Sequence, residues 1–161
     1  MNHWLLKSEP DTFSIDNLAR SPEQTTRWDG VRNYQVRNML RDDMRVGDLG
    51  LFYHSSCAEP GAVGVVRIVR AGYPDPAAWN PDSPYFDPKS DPAQPRWYCV
   101  DVKLKQRFAT IVSLDRMRRC AELADLLILR KGNRLSITPL TTAQFATICQ
   151  MGQTRASDAA Q

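Results

Sequence analysis

Histidine is almost missing from this chain of 161 residues, which holds two, His3 and His54. A Ser–His or Cys–His nucleophile pair would have to be built on one of them. His54 is followed by Ser55, Ser56 and Cys57, but neighbours along a strand point to opposite faces, so adjacency does not make a pair. The four cysteines, Cys57, Cys99, Cys120 and Cys149, include no CxxC spacing, so no zinc site is expected. Unpaired thiols suit a reducing, cytoplasmic setting. GxSxG, P-loop, GxGxxG and HExxH signatures are all absent, which removes the motifs of the common hydrolases, nucleotidases and dehydrogenases. The two glycines of GAVGVV lie inside a strand pattern and signal close backbone packing. The adjacent Asp42 and Asp43 lie between Arg41 and Arg45, where a solvated, salt-bridging face outweighs acid–base work. Long apolar runs are also missing. MNHWLLKSEP holds three consecutive apolar residues, so neither a signal peptide nor a membrane anchor is expected. No metal, cofactor or catalytic constellation is expected.

What remains fits one folded unit, expected over residues 1–152 with a polar tail over 153–161. The net charge of +3 is too small to identify a nucleic-acid binder unless it is focused on one face. The basic residues are lopsided, with 16 Arg against 5 Lys. Arg suits bidentate contacts to phosphates and base edges, although a GC-rich genome produces the same bias.

Periodicity places the elements. NHWLLK reads as a strand. SIDNLAR reads as a helical turn capped by Ser14, with Ile15 and Leu18 on one face. Val36, Met39, Leu40 and Met44 have helical spacing. VGDLGLFYHSS reads as a turn at Gly47-Asp48 and a strand, and AVGVVRIV as a buried strand. WYCVDVKLKQRF is the clearest strand: Tyr98, Val100, Val102 and Leu104 alternate with Asp101, Lys103 and Lys105. Residues 74–95 hold seven of the eleven prolines and four aspartates, the mark of a long functional or mobile loop, which Trp79, Tyr85 and Phe86 could pin to the surface. Cys120, Leu123, Ala124, Leu127 and Ile128 form a stripe that predicts a helix. RLSI reads as a short strand and TTAQFATICQM as a final helix capped by Thr141 or Thr142. Strands interleaved with short helices, without regular βαβ spacing, suggest a mixed α+β barrel.

The stretch RWDGVRNYQVRN, residues 27–38, crowds planar, hydrogen-bonding side chains at a helix entrance. One reading is a capped helix with a wet polar face. The other is a pocket for a flat, polar ligand. Trp28 is either a core aromatic or a stacking plate, and Asn33 an N-cap, a ligand contact or both. Trp4, Trp79 and Trp97 are assigned to packing. Arg37 and Arg41, four apart, share one helix face.

Six segments occur in a telling order: WLLKSEP, WDGVRNYQVRNM, GDLGLFYHSS, GAVGVVRIV, PRWYCVDV and RLSITPLT. Together they closely resemble the EVE domain, over roughly residues 2–150. The resemblance implies a fold similar to PUA domains and to YTH domains, which recognise methyladenine: a mixed-sheet pseudo-barrel surrounded by short helices. It implies a non-catalytic module that takes a modified or flipped-out base of DNA or RNA into a pocket, with any effector supplied by other chains; an enzyme acting on a nucleotide and a protein-interaction module are the alternatives. A base out of its stack needs a flat face and polar groups for its edge. Trp28 would supply the face and Asn33 an amide that both donates and accepts, while Gly30 and Val31 would let the backbone approach. By the same resemblance Lys7, Ser8, Tyr53, His54 and Ser55 would line the cavity, and Arg134, Leu135 and Ser136 would close it. Arg32, Arg37 and Arg41 would bind phosphates around its mouth.

Overall fold

In the computed structural model, which describes residues 1–153, the chain runs through β1 (His3–Ser8), α1 (Ile15–Arg20), β2 (Thr25–Trp28), α2 (Tyr34–Asn38), β3 (Leu49–His54), β4 (Gly61–Pro74), β5 (Tyr98–Ser113), α3 (Leu114–Arg118), β6 (Ile137–Leu140) and α4 (Thr142–Gln153). The six strands form one mixed sheet in the order β2-β5-β4-β3-β1-β6. β1 runs parallel to β3, and every other pair is antiparallel. The architecture is the mixed α+β one expected, and the sheet is not closed, because β2 and β6 form two free edges. The β4–β5 ribbon shifts register at four places between Ala62 and Tyr73. Each irregularity adds local twist, so the ribbon coils and carries β2 round toward the β6 side.

Alternation along the strands splits the core into two faces. One gathers Trp4, Leu6, Phe52, Val66, Ile68, Val100 and Val102 with Ile15 and Leu18 of α1 and Val36 and Leu40 around α2. The other gathers Leu5, Leu51, Tyr53, Val65 and Val112 with Met117 of α3 and Phe145 and Ile148 of α4. Trp4 is core, as assigned, and its indole Nε1 donates to the buried Asp48 carboxylate at 3.1 Å. The same carboxylate accepts the backbone N–H groups of Asn2 and Arg45, fastening the chain start to the turn before β3.

The helices start at side-chain caps. Ser14 and Asn17 form a reciprocal capping box on α1, and Thr141 and Gln144 do the same for α4; both satisfy otherwise orphaned N–H groups. After α2 the chain widens into a π-type turn, Met39–Asp43, closed by the Met44 N–H on the Met39 carbonyl. Gly72 of β4 packs on that turn; a Cβ there would press on the Leu40 carbonyl and stand 3.0 Å from the Arg41 Cα.

Three expectations need correction. The stripe from Cys120 is not an α-helix but two 3-10 turns, Ala121–Leu123 and Leu127–Leu129, separated by the extended backbone of Leu126. Its fully buried side chains are Leu123, which ends the first turn, and Leu126, on the extended link. The strand read at RLSI starts only at its last residue, Ile137. β2 was not anticipated, since TTRW is an edge segment with one buried residue and no apolar alternation. The tail expected from Gln153 lies outside the described residues, apart from Gln153 itself, which closes α4.

Candidate nucleic-acid interface

A cleft lies at the seam of the open sheet, with a volume of about 520 Å³. Thr26, Arg27 and Trp28 of the β2 edge form one wall. Ser136, next to the β6 edge, stands with Lys7 and Ser8 at the end of β1 and with Phe13 beyond it. Gly30, Val31, Arg32 and Tyr85 continue the lining, and Glu9, Thr12 and Asp29 complete it. The volume falls in the range of small-molecule sites, roughly 300–1,000 Å³.

Trp28, the last residue of β2, is held in the wall of this seam. Its backbone pairs with Val100 on β5, and its ring meets Phe52 edge-on with centroids 5.5 Å apart. It is 8% exposed and packs in the first core face, as the core reading has it, and its remaining surface lines the cleft.

The loop after Trp28 is fixed from below by Asp75, a carboxylate with no exposed surface. One oxygen accepts the Ala77 N–H at 2.8 Å, and the other accepts the Gly30 N–H and the Arg32 Nη1, each at 3.0 Å. Gly30 turns with φ +79, and a Cβ there would meet the Tyr85 ring at 2.7 Å. That ring lies where a side chain on residue 30 would stand, so the Pro-rich loop becomes part of the wall. Arg32 completes the tie: Nη1 also donates to its neighbour's carbonyl, on Val31, and Nε and Nη2 donate to the Tyr85 carbonyl. The guanidinium lies between the rings of Trp97, at 5.4 Å, and Tyr85, at 5.8 Å, where cation–π attraction adds to the hydrogen bonds. Arg32, expected at the phosphate rim, is thus built into the cleft wall.

Lys7 differs from Arg32. Its ammonium is half-buried, and burial alone pulls its pKa below the usual lysine value. Among the described residues it has no hydrogen-bonding or ionic partner. A desolvated cation of this kind gains from a carbonyl, a ring nitrogen or a phosphate in the cleft. Ser8 has its hydroxyl donated to the Phe13 carbonyl at 2.6 Å, leaving oxygen lone pairs as its remaining capacity.

Other expected lining residues are placed elsewhere. Tyr53 is buried on the opposite face of the sheet, and desolvation there pushes its phenol up to about 12. His54 packs against Phe52 and accepts the Ile15 N–H on Nε2 at 3.2 Å, which makes it a cap for α1. Burial lowers its pKa, with the Asp16 charge opposing. Ser55 donates its N–H to the Ser8 carbonyl. Leu135 packs under the first core face, and Arg134 is exposed. Asn33 stands outside the cleft and caps α2, accepting the Val36 N–H at 3.0 Å. Arg37 and Arg41 lie on the outer surface: Arg37 donates to the Arg96 carbonyl and to Asn38, and Arg41 forms an exposed ion pair with Asp42.

The residues that the sequence left unmarked as contributors to the cleft are Asp75, which fixes it from below, and the lining residues Glu9, Thr12, Phe13, Thr26, Arg27, Asp29 and Tyr85. The signal for Asp75 was its place before Pro76, since an Asp followed by Pro starts a helical turn. The segment does form the 3-10 turn Pro76–Trp79. Nothing local distinguishes Tyr85.

Among the described residues no helix is long and apolar enough to cross a membrane. The family profile of the EVE domain matches residues 2–151. Human thymocyte nuclear protein 1 is 40% identical over 160 residues, covering 89% of this chain and 71% of that protein. A Pseudomonas putida protein of solved structure is 49% identical, with a TM-score of 0.87 over 92% of this chain and 98% of that one. The crystal structure of human THYN1 protein in complex with 5-methylcytosine-containing DNA is 37% identical, with a TM-score of 0.89 over 96% and 99%. At 7% identity, an ASCH protein of Zymomonas mobilis shares the fold alone, with a TM-score of 0.57. With the fold, the seam and the ordered segments in agreement, the chain belongs to the EVE domain family.

Proposed function

We infer that the chain is a non-catalytic reader of DNA that takes a modified base, out of its stack, into the cleft at the sheet seam. The observation that carries this reading is the unpartnered, half-buried Lys7 ammonium in a cleft that Trp28 also lines. A base presents those two needs together, a flat face and polar edge atoms. The human relative solved with 5-methylcytosine DNA supports DNA as the polymer and a modified cytosine as the first base to try. Lys7, Ser8, Trp28, Gly30, Val31 and Ser136 are proposed to touch the base. Asn33, Tyr53, His54, Ser55, Arg134 and Leu135 serve the frame around it, and Arg37 and Arg41 face phosphates. The engagement of His54 Nε2 with α1 supports binding without turnover, because that nitrogen is not free to shuttle a proton. The four free thiols support a reducing compartment.

The test is a titration with free nucleosides, 5-methyl-2′-deoxycytidine against 2′-deoxycytidine, with the products of incubation identified by mass spectrometry. Binding that favours the methylated nucleoside, without conversion, is expected. Lys7→Met should abolish it with no loss of stability, because Met keeps the apolar stem and removes only a half-buried charge that has no partner in the fold. Conversion of either nucleoside, or unchanged binding by Lys7→Met, would overturn the reading.

A further inference from the structure

Four large apolar side chains stay exposed among the described residues: Met1, Tyr34, Val46 and Phe86. Tyr34 differs from the others in being stacked, its ring 4.9 Å from that of Trp97 with the planes 26° apart. Tyr34 is 54% exposed, while Trp97 is 6% exposed. Tyr34 is therefore the outer member of a stack rooted in the interior. Inward, the stack continues through the Arg32 guanidinium to the ring of Tyr85, which lines the cleft. The Arg37 guanidinium also stands 5.0 Å from the Tyr34 centroid. Arg37 is oriented by the Arg96 carbonyl through Nη1 and by Asn38 through Nε, which leaves Nη2 for an incoming anion.

We propose that Tyr34 is a stacking platform for the base next to the one held in the cleft, with Arg37 taking the phosphate beside it. The occupant is DNA, because an exposed ring beside an oriented guanidinium matches a base joined to a phosphate: aromatic rings accept any base face, and a guanidinium matches phosphate geometry. A cover for Trp97 would account for one face of the Tyr34 ring, but not for a cation placed against a ring left half in water. The inference rests on the reading of the cleft given above and adds a contact that a free nucleoside cannot make.

That difference supplies the test. Wild type, Tyr34→Ala and Tyr34→Phe are titrated with 5-methyl-2′-deoxycytidine and, separately, with a short duplex carrying one 5-methylcytosine. A thermal melt accompanies each variant. Tyr34 is the first residue of α2, and the Asn33 cap does not depend on its ring, so Tyr34→Ala should fold. Tyr34→Ala is expected to weaken duplex binding on the order of tenfold, as one lost base–aromatic stack does, and to leave nucleoside binding unchanged. Tyr34→Phe, which keeps the ring, is expected to bind both probes as wild type does. If Tyr34→Ala binds the duplex like wild type while the nucleoside still binds, the platform falls and the cleft reading stands. If no nucleoside binds but duplex binding depends on the Tyr34 ring, the cleft reading falls and the platform stands. Equal loss for both probes would place Tyr34 in the cleft's own machinery and overturn the proposal, as would a wild type that binds no DNA.

Discussion

The two faces of the sheet are covered in different ways. The face under α3 and α4 is sealed by aliphatic and aromatic side chains, with Leu51, Leu123, Leu126 and Ile148 out of solvent. The face under α1 and α2 is held as much by polar groups: Asp48 on Trp4, His54 on α1, and Asp75 on Gly30 and Arg32. Apolar packing is non-directional and suits a wall that only has to be closed. Hydrogen bonds fix distances and angles, and they hold open the seam where the cleft lies. The side with the cleft is therefore the side whose geometry rests on particular atoms.

The comparison can be broken most forcefully with core truncations. Trp28→Ala should cost about 3–5 kcal/mol of stability and Leu51→Ala about 2–5 kcal/mol, read from denaturant melts. Nucleoside binding should be lost in the first and preserved in the folded fraction of the second. Loss of binding in Leu51→Ala would mean that the faces are not separable.

Next is Asp75→Asn, which leaves the Arg32 charge without its buried counterpart. A cost of about 1–3 kcal/mol is expected, the range for an unsatisfied buried polar group, together with weaker nucleoside binding. Its opposite on the sealed face is Thr138→Val. The Thr138 hydroxyl is buried without a hydrogen-bond partner, so an apolar isostere should raise stability by about 1 kcal/mol and leave binding alone.

The smallest effect is that of pH. Burial depresses the His54 pKa in the folded chain, so the unfolded chain binds its proton more readily. The stability tied to neutral His54 is fully present above the ordinary histidine value of 6.5 and is lost as pH falls through the lower, folded value. Melts across that window should therefore show falling stability. His54→Gln, which keeps a hydrogen-bonding tip but does not titrate there, should flatten the trend. An identical pH profile in His54→Gln would remove His54 from the polar side of the comparison.

The architecture was legible where sequence and structure share a period. The alternation of Tyr98 to Leu104 became β5, and Ser14, Asn33 and Thr141 all cap as their chemistry suggests. The run from Cys120 misled because apolar residues three, four, seven and eight positions after Cys120 fit a helical stripe while the chain breaks at Leu126. Half of the cleft was readable from the ordered segments, since Lys7, Ser8, Trp28, Gly30, Val31 and Ser136 meet there. Arg32 was not readable, because an arginine in a polar loop looks the same whether it faces a phosphate or a buried carboxylate 43 positions away. Tyr53 and His54 are strand neighbours pointing to opposite faces, and no pocket on one face takes both.

Asp75 also turns one backbone proton into a reporter. The Gly30 amide is bound to a carboxylate that belongs to the Pro-rich segment, so it can trade its proton for deuterium only when that segment lifts. Amides exchange at the rate set by the smallest opening that exposes them. Exchange at Gly30 is therefore a clock on the opening of the cleft wall, readable in the free protein before any ligand is known.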